Sequence, residues 1–403
     1  MGQMIHSKSL RIAIECRIPD ARQGIGTAIL FLAHVLSRVN TRDQEYIFVV
    51  NEELRDWLAP HLSGSCHIAV LASPQPPKLE RILRSVKPLL KLLKKMPRPL
   101  PEIPISDGYI EREKFDVVHF PTQQAYLTSV PSIYQPWDLQ HVHYPSFFSE
   151  RDLAIRDLYY RAFCAQARMV CVQAEWTRQD VIQSYGVSAN KVAVIPWGST
   201  FEAYSAPSVK TLDATRKRYA LPKDFFFYPA VTWPHKNHAV LLRALSVLKK
   251  RDGRVVHVYL TGSVTEYNTS LEAMAEALEV SEQVHRLGFV TTDELQSIYA
   301  SATAMVFPSL FEGFGLPLLE AFHAGLPVLS SNATVLPEIA QDAALYFDPN
   351  SEVELADQMI CLLQSPELRQ QLREKGKLVL SQFDSSKTAE ALCHLYSSVA
   401  ARE

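Results

Sequence analysis

The sequence predicts an α/β protein made of two doubly wound, parallel-sheet domains. Three observations predict it: the length, the recurrence of short apolar runs between helical stretches, and a polar interruption after which the pattern starts again. At 403 residues the chain has room for two domains, each of the usual ~100–200 residues. Apolar side chains make up 47% of it and charged ones 21%, the balance of a globular protein with a substantial core. A formal net charge of -2 gives no general pull toward nucleic acid. Six cysteines are scattered without a Cys-x-x-Cys pair, which speaks against a zinc site or a disulfide framework and suits a reducing compartment. The opening residues, MGQMIHSKSL, lack the apolar stretch of a secretion signal, and His6 stands where a myristoylation signal needs Ser or Thr. No apolar run is long enough to span a bilayer, so the expected address is the cytoplasm.

The apolar, β-branched runs fall at 10–16, 46–50, 67–71, 115–120, 133–136, 169–172 and 192–195 in the first half. In the second half they fall at 225–228, 255–261, 284–289, 304–307, 327–329 and 344–347. Segments between them carry helical spacing, as in Leu241, Leu242, Leu245 and Leu248. Strands that alternate with helices imply parallel sheets covered on both faces. Residues 197–215, with Gly198, Pro207 and several Ser and Thr, read as the linker. The expected domains are therefore 1–200 and 216–384, with a terminal helix at about 385–403 packing back on the first.

One segment departs from this rhythm. Lys78, Arg81, Arg84, Lys87, Lys91, Lys94, Lys95 and Arg98 face a single acid, Glu80, while Leu79, Ile82, Leu83, Val86, Leu90 and Leu93 recur at helical spacing. One face is apolar and the other cationic, the pattern of a helix lying on an anionic membrane surface. The same pattern fits a surface helix packed on the first domain with its lysines in water, and Pro88 interrupts a long helix.

The strongest chemical signal is Ser309-Leu310-Phe311-Glu312-Gly313-Phe314-Gly315-Leu316-Pro317-Leu318-Leu319-Glu320-Ala321, between an apolar strand and an apolar helix. Glycines at 313 and 315 let backbone N–H groups face outward at a helix N-terminus, a site for anionic oxygens or sugar hydroxyls. Glu312 and Glu320 can each accept hydrogen bonds from a different polyol part of one ligand. On the bland reading this is a capped helix with two solvated glutamates.

Glu312 and Glu320, with seven residues between them, resemble the E-x7-E signature of glycosyltransferase family 4. These are retaining enzymes of the GT-B fold, two Rossmann-like domains facing a central cleft. The resemblance runs along nearly the whole chain in the family's order. Gly24-Ile25-Gly26 resembles its glycine loop, and Phe115-Asp116-Val117-Val118-His119-Phe120 its "D-V-V-H" strand. Tyr185-Gly186-Val187, Lys191-Val192 and Ile195-Pro196-Trp197-Gly198 look like the end of its first domain. Trp233-Pro234-His235-Lys236-Asn237 resembles its "P-R-K-N" phosphate loop, and Leu287-Gly288-Phe289-Val290 the strand that meets the nucleotide base.

Carried over residue by residue, the resemblance implies that Glu320 holds the ribose and Glu312 the donor sugar. The N–H groups of Phe314, Gly315 and Leu316 would hold the sugar or β-phosphate. Lys236 would neutralise the leaving diphosphate, with Gly24 and Gly26 approaching the same phosphates and Gly288, Phe289 and Val290 meeting the base. No Asp-x-Asp motif appears at the end of a first-domain strand, so neither metal nor cofactor is expected. Two departures stand out. His235 replaces the usual arginine, a permanent cation, by a group expected to titrate near neutral pH. Trp137 replaces the histidine of the family's "H-D-L", although Asp138 is kept and His141 and His143 lie just beyond. Asp138 is thus a catalytic candidate, and His119, Trp137 and His141 are acceptor-side candidates. A structural role is the alternative for the histidines.

The implied function is retaining transfer of a hexose from a GDP-, UDP- or dTDP-linked donor to a glycan or lipid-linked acceptor. Mannosyl or rhamnosyl transfer in surface polysaccharide or glycolipid synthesis is the expected setting, with the 78–98 segment as a possible peripheral attachment to the inner face of the plasma membrane. The alternative, suggested by Trp137 and His235, is a non-catalytic sugar-nucleotide-binding scaffold. A sugar-nucleotide epimerase of the same fold is a poorer match.

Overall fold

Parallel strands buried on both faces read as unbroken apolar runs, and the described residues form thirteen of them. The computed structural model describes residues 9–18, 24–39, 43–71 and 100–401. The basic 78–98 segment lies outside the described residues. The strands are β1 (Leu10–Glu15), β2 (Gln44–Asn51), β3 (Cys66–Leu71), β4 (Val117–Phe120), β5 (Ser132–Tyr134), β6 (Met169–Val172) and β7 (Val192–Val194). They continue as β8 (Phe226–Pro229), β9 (Val258–Thr261), β10 (Val284–Gly288), β11 (Ala304–Phe307), β12 (Val328–Ser331) and β13 (Ala344–Phe347). Two sheets result, in the orders β3-β2-β1-β4-β5-β6-β7 and β10-β9-β8-β11-β12-β13, and the pairings within them are parallel. This is the α/β architecture expected from the sequence.

Every expected apolar run is a strand, with shifts at the ends that have physical reasons. Strand β12 runs on through Ser330 and Ser331, both wholly buried. The Ser331 hydroxyl is satisfied by donating to the Ser309 carbonyl (2.6 Å). Strand β9 starts at Val258, three residues beyond Val255, which is exposed to solvent.

The described chain divides into two compact units. One comprises residues up to Pro136, Phe148–Val170 and the chain from Cys393 onward; the other comprises Trp137–Phe147 and Cys171–Leu392. Within the first unit, the last turns of the helix Ser385–Ala401 are tied to β2. There the Gln44 amide donates to the Cys393 carbonyl (2.9 Å) and to the Ser397 hydroxyl (2.8 Å). At the carboxyl end of β1, Arg17 makes a two-pronged pair with Glu15 (2.8 Å each), which also accepts from Tyr126 (2.7 Å).

In an open parallel sheet, ligands bind at the carboxyl ends of strands where the order reverses. In the second sheet that point lies between β8 and β11. The loops leaving these two strands carry Lys236 and the Ser309–Gly315 sequence, so the topology itself brings the two strongest sequence signals together. Phe225, Phe226, Phe227 and Tyr228 on one side and all of β11 on the other are fully buried, which makes a rigid floor for the loops.

Candidate active site

The loop after β11 ends at Gly315, whose φ of 98° lies in the left-handed region open to glycine. Gly315 is the N-cap of the helix Leu316–His323, with Pro317 in its first turn. Helix N-termini leave amide hydrogens without intrahelical acceptors. Among the described residues, the N–H groups of Phe314, Gly315 and Leu316 meet no acceptor. Three adjacent amides at the positive end of a helix form a cradle for an anion.

Beside the cradle, the Lys236 ammonium lies 2.6 Å from a Glu312 carboxylate oxygen, the two side chains being 19% and 12% exposed. The backbone under Lys236 is held in place. Tyr228 donates to its carbonyl (2.7 Å), and the Asn237 amide, on a residue with φ 55°, donates to the carbonyls of Pro308 (3.1 Å) and Pro349 (2.8 Å). Lys236 also sits 5.8 Å from the centre of the Phe307 ring. His235 does not titrate near neutral pH, contrary to the sequence expectation. Desolvation, then the charges of Lys236 and His238, push it down to about 2. The imidazole stays neutral, and its backbone carbonyl accepts from Leu310 N–H (2.7 Å).

Glu320 lies within the helix Leu316–His323. One carboxylate oxygen accepts from Thr200 (2.6 Å) and the other from Tyr299 (2.9 Å). Burial raises its pKa, against the opposing effect of those two hydroxyls. Neither hydroxyl residue was recognised from the sequence. Thr200 falls in the segment read as linker, and Tyr299 has the spacing of an ordinary core aromatic on the helix Thr292–Ser301. A capping box between Thr291 and Glu294 fixes the start of that helix.

Trp137 and Asp138 also reach this loop. Trp137 holds a left-handed φ of 67°, and a Cβ placed on Gly313 would overlap its carbonyl oxygen. Asp138 accepts from Gln140 N–H (3.1 Å), closing a local turn. Gly288, at φ 69°, ends β10 and accepts from Gly262 N–H (3.3 Å). Phe289 beyond it is 89% exposed and Val290 half-buried. The other candidates lie apart from the loop or deeper. The His141 ring is buried and pairs with the Tyr185 hydroxyl at 2.8 Å. In the first unit, His119 is wholly buried between the Tyr396 hydroxyl (2.9 Å) and the Gln135 amide oxygen (3.1 Å). Burial pushes its pKa down to about 4. Gly24 and Gly26 stand in the first turn of the helix Gly24–Ser37, Gly24 exposed and Gly26 buried.

Two parallel sheets covered by helices, one with open amides at its switch point, are the arrangement of a GT-B protein. The fold agrees: the chain is similar to Anabaena Alr3699/HepE, crystallised with UDP and glucose. The TM-score is 0.72 at 17% identity, covering 96% of this chain and all of that one. Residues 52–199 match the profile described as Glycosyltransferase Family 4, and residues 213–379 that of Glycosyl transferases group 1. The chain belongs to glycosyltransferase family 4. Among curated relatives it is 27% identical over 217 residues to the O-antigen chain mannosyltransferase B of Escherichia coli, covering 54% of this chain and 57% of that one. It is 29% identical over 219 residues to the O-antigen chain mannosyltransferase RfbU of Salmonella typhimurium, covering 53% and 56%. The chain thus spans little more than half the length of these relatives.

Proposed function

We propose that this protein transfers a hexosyl group, with retention and without a metal ion, from a nucleotide diphosphate sugar to a glycan or lipid-linked acceptor of a surface polysaccharide. The observation that carries the reading is the set of three open amides at Phe314, Gly315 and Leu316 next to the Lys236–Glu312 pair. The amides and the ammonium supply positive charge where a leaving diphosphate would gather negative charge, the kind of preorganised stabilisation that dominates many transfers. On donor binding Lys236 exchanges Glu312 for a phosphate oxygen, which frees the Glu312 carboxylate to accept from sugar hydroxyls. Glu320 exchanges Thr200 and Tyr299, at least in part, for the ribose hydroxyls.

The bond from the anomeric carbon to the phosphate oxygen breaks as the bond to the acceptor oxygen forms on the same face. The acceptor proton passes to the departing phosphate, so no protein nucleophile is needed. Asp138 orients the acceptor hydroxyl, and Trp137 offers a flat apolar wall to a sugar ring. Gly288, Phe289 and Val290 flank the base. The mannosyltransferase names of the relatives support mannose as the sugar. Among the described residues no helix is long and apolar enough to cross a membrane, which suits a cytoplasmic enzyme working on a lipid-linked acceptor at the membrane surface.

The test is incubation with GDP-mannose, UDP-glucose and dTDP-rhamnose plus a lipid-linked acceptor, in excess EDTA. Nucleoside diphosphate release and the anomeric configuration of the product would be followed by NMR. Release from one donor with a retained anomer is expected. No release from any donor, or release only after Mg2+ is restored, refutes the reading or its metal-independent part.

A further inference from the structure

The backbone of the loop after β11 is held by side-chain hydroxyls. The Ser309 carbonyl accepts from Ser331 (2.6 Å), Leu310 from Tyr144 (3.4 Å), Glu312 from Thr334 (3.3 Å) and Gly313 from Thr177 (2.8 Å). The Glu312 N–H donates back to Thr334 (3.2 Å). The pattern stops at Gly313, where the open amides begin. A peptide unit is planar and, here, trans, so its C=O and N–H point in opposite directions. Whatever holds the Gly313 carbonyl therefore aims the Phe314 N–H the other way. The Thr177 hydroxyl is that holder, and the Trp137 carbonyl packed where a Gly313 Cβ would be limits rotation from a second side.

Thr177 is itself wholly buried, in the first turn of the helix Glu175–Tyr185. The N-cap of that helix is Ala174, which supplies no side-chain cap. A residue distant in sequence does so instead: the Glu338 carboxylate accepts from Glu175 N–H (2.7 Å) and Trp176 N–H (2.8 Å). A carboxylate bonded to the first amides of a helix also meets the favourable end of its dipole. Next to this cap, the Trp176 ring stands edge-on to Phe311 (centroids 5.5 Å apart), and His143 stacks on Phe311 (5.1 Å). The helix start and the loop are thus joined by a polar bond at Gly313 and an apolar contact at Phe311.

We propose that Thr177 and Glu338 are positioning residues for the donor cradle: Thr177 turns the Gly313–Phe314 peptide so that the Phe314 N–H faces the donor's phosphates, and Glu338 holds Thr177 in place. The proposal rests on the donor-site reading above. It differs from a purely structural role in one measurable respect. Loss of the Thr177 hydroxyl weakens binding of the phosphate part of a nucleotide and leaves the nucleoside part alone.

The experiment titrates wild type, Thr177→Val, Thr177→Ser and Glu338→Gln with whichever of GDP, UDP and dTDP binds best, and with the corresponding nucleoside. One misdirected amide corresponds to about tenfold in affinity. Thr177→Val should bind the diphosphate about tenfold more weakly and the nucleoside unchanged, while Thr177→Ser, which keeps the hydroxyl, should stay close to wild type. Glu338→Gln retains one acceptor oxygen and should fall between them. Equal diphosphate affinity in Thr177→Val, or a parallel loss of nucleoside and diphosphate, overturns the proposal. If Thr177→Val fails to fold, Glu338→Gln decides: selective weakening toward the diphosphate supports the proposal, and none overturns it. Wild type that binds none of the three diphosphates sinks the donor reading and this inference with it, an outcome distinct from the others.

Discussion

Replacing Glu320 by Gln separates what the site needs from what the fold prefers. In the free protein this carboxyl is desolvated, and burial raises its pKa above the usual carboxylate range despite the bonds from Thr200 and Tyr299. A raised carboxyl pKa means that the folded state binds the proton more tightly than the unfolded chain. Its favourable contribution is complete below the unfolded value and disappears as pH rises through the folded one. At neutral pH the ionised group is therefore a net burden, each unit of displacement corresponding to about 1.4 kcal/mol. Gln has the same shape and no charge, and a Thr or Tyr hydroxyl can bond its amide oxygen. Glu320→Gln should then be more stable than wild type at about pH 8, with the difference closing toward about pH 4.5.

Binding should move the other way. A carboxylate bonded to ribose hydroxyls contributes ~1.5–3 kcal/mol per charge-assisted bond, so the neutral amide should cost roughly 10–100-fold in nucleotide affinity. Urea unfolding at both pH values gives the first quantity, and calorimetric titration with the preferred nucleoside diphosphate gives the second. A variant that is less stable than wild type at the higher pH refutes the desolvation argument. Unchanged nucleotide affinity removes Glu320 from the site.

Lys236→Met should lower turnover by about 10²–10³-fold, as loss of one preorganised donor does, and should also destabilise the fold by leaving the Glu312 carboxylate, 12% exposed, without its cation. Adding Glu312→Gln should restore stability in denaturation but not turnover; recovery of turnover would contradict the phosphate role of Lys236. Gly313→Ala should cost ~1–3 kcal/mol from overpacking against the Trp137 carbonyl and should slow transfer as well. Gly253→Ala meets nothing within 4 Å and should cost only the ~1–2 kcal/mol of a left-handed backbone, with transfer unchanged; transfer losses of the same size in both variants would mean that the Trp137 contact is absent in solution.

The strands could be read from sequence because strands buried on both faces leave uninterrupted apolar runs, as at Phe225–Tyr228 and in β11. Polar residues hid what lay beyond those runs. Ser330 and Ser331 looked like the end of a strand but continue it, because a hydroxyl can be buried once it is bonded. Thr200 looked like linker for the same reason, and nothing in the spacing of Thr177, Thr334 or Tyr144 announces that they meet one loop. His235 was expected to titrate because its type does; the loss of water, and then the neighbouring Lys236 and His238, decide otherwise. His119 was singled out by its motif, yet all four residues of β4 are buried, and in such a strand alternation does not reveal which side chain a ligand could meet.

The hydroxyl-held loop also explains why this site needs so many residues from outside its own motif. An amide that is to bind a ligand must lie outside sheet and helix interior, as in a loop or the first turn of a helix, since ladder or helix bonds would use its N–H. A segment freed in this way loses the pairing that would fix its backbone, and ordering it costs roughly 1–2 kcal/mol per residue. Here the carbonyl side is fixed instead: Ser331, Tyr144, Thr334 and Thr177 each hold one C=O, leaving the N–H side from Phe314 to Leu316 open. Hydroxyls suit the task because they are neutral, so they immobilise the loop without competing for the anion or repelling it. Ammonium groups in their place would draw an anion to the wrong side of the peptide. The glycines alone would give the loop its shape without its rigidity, so the segment from Glu312 to Glu320 does not by itself fix where its open amides point.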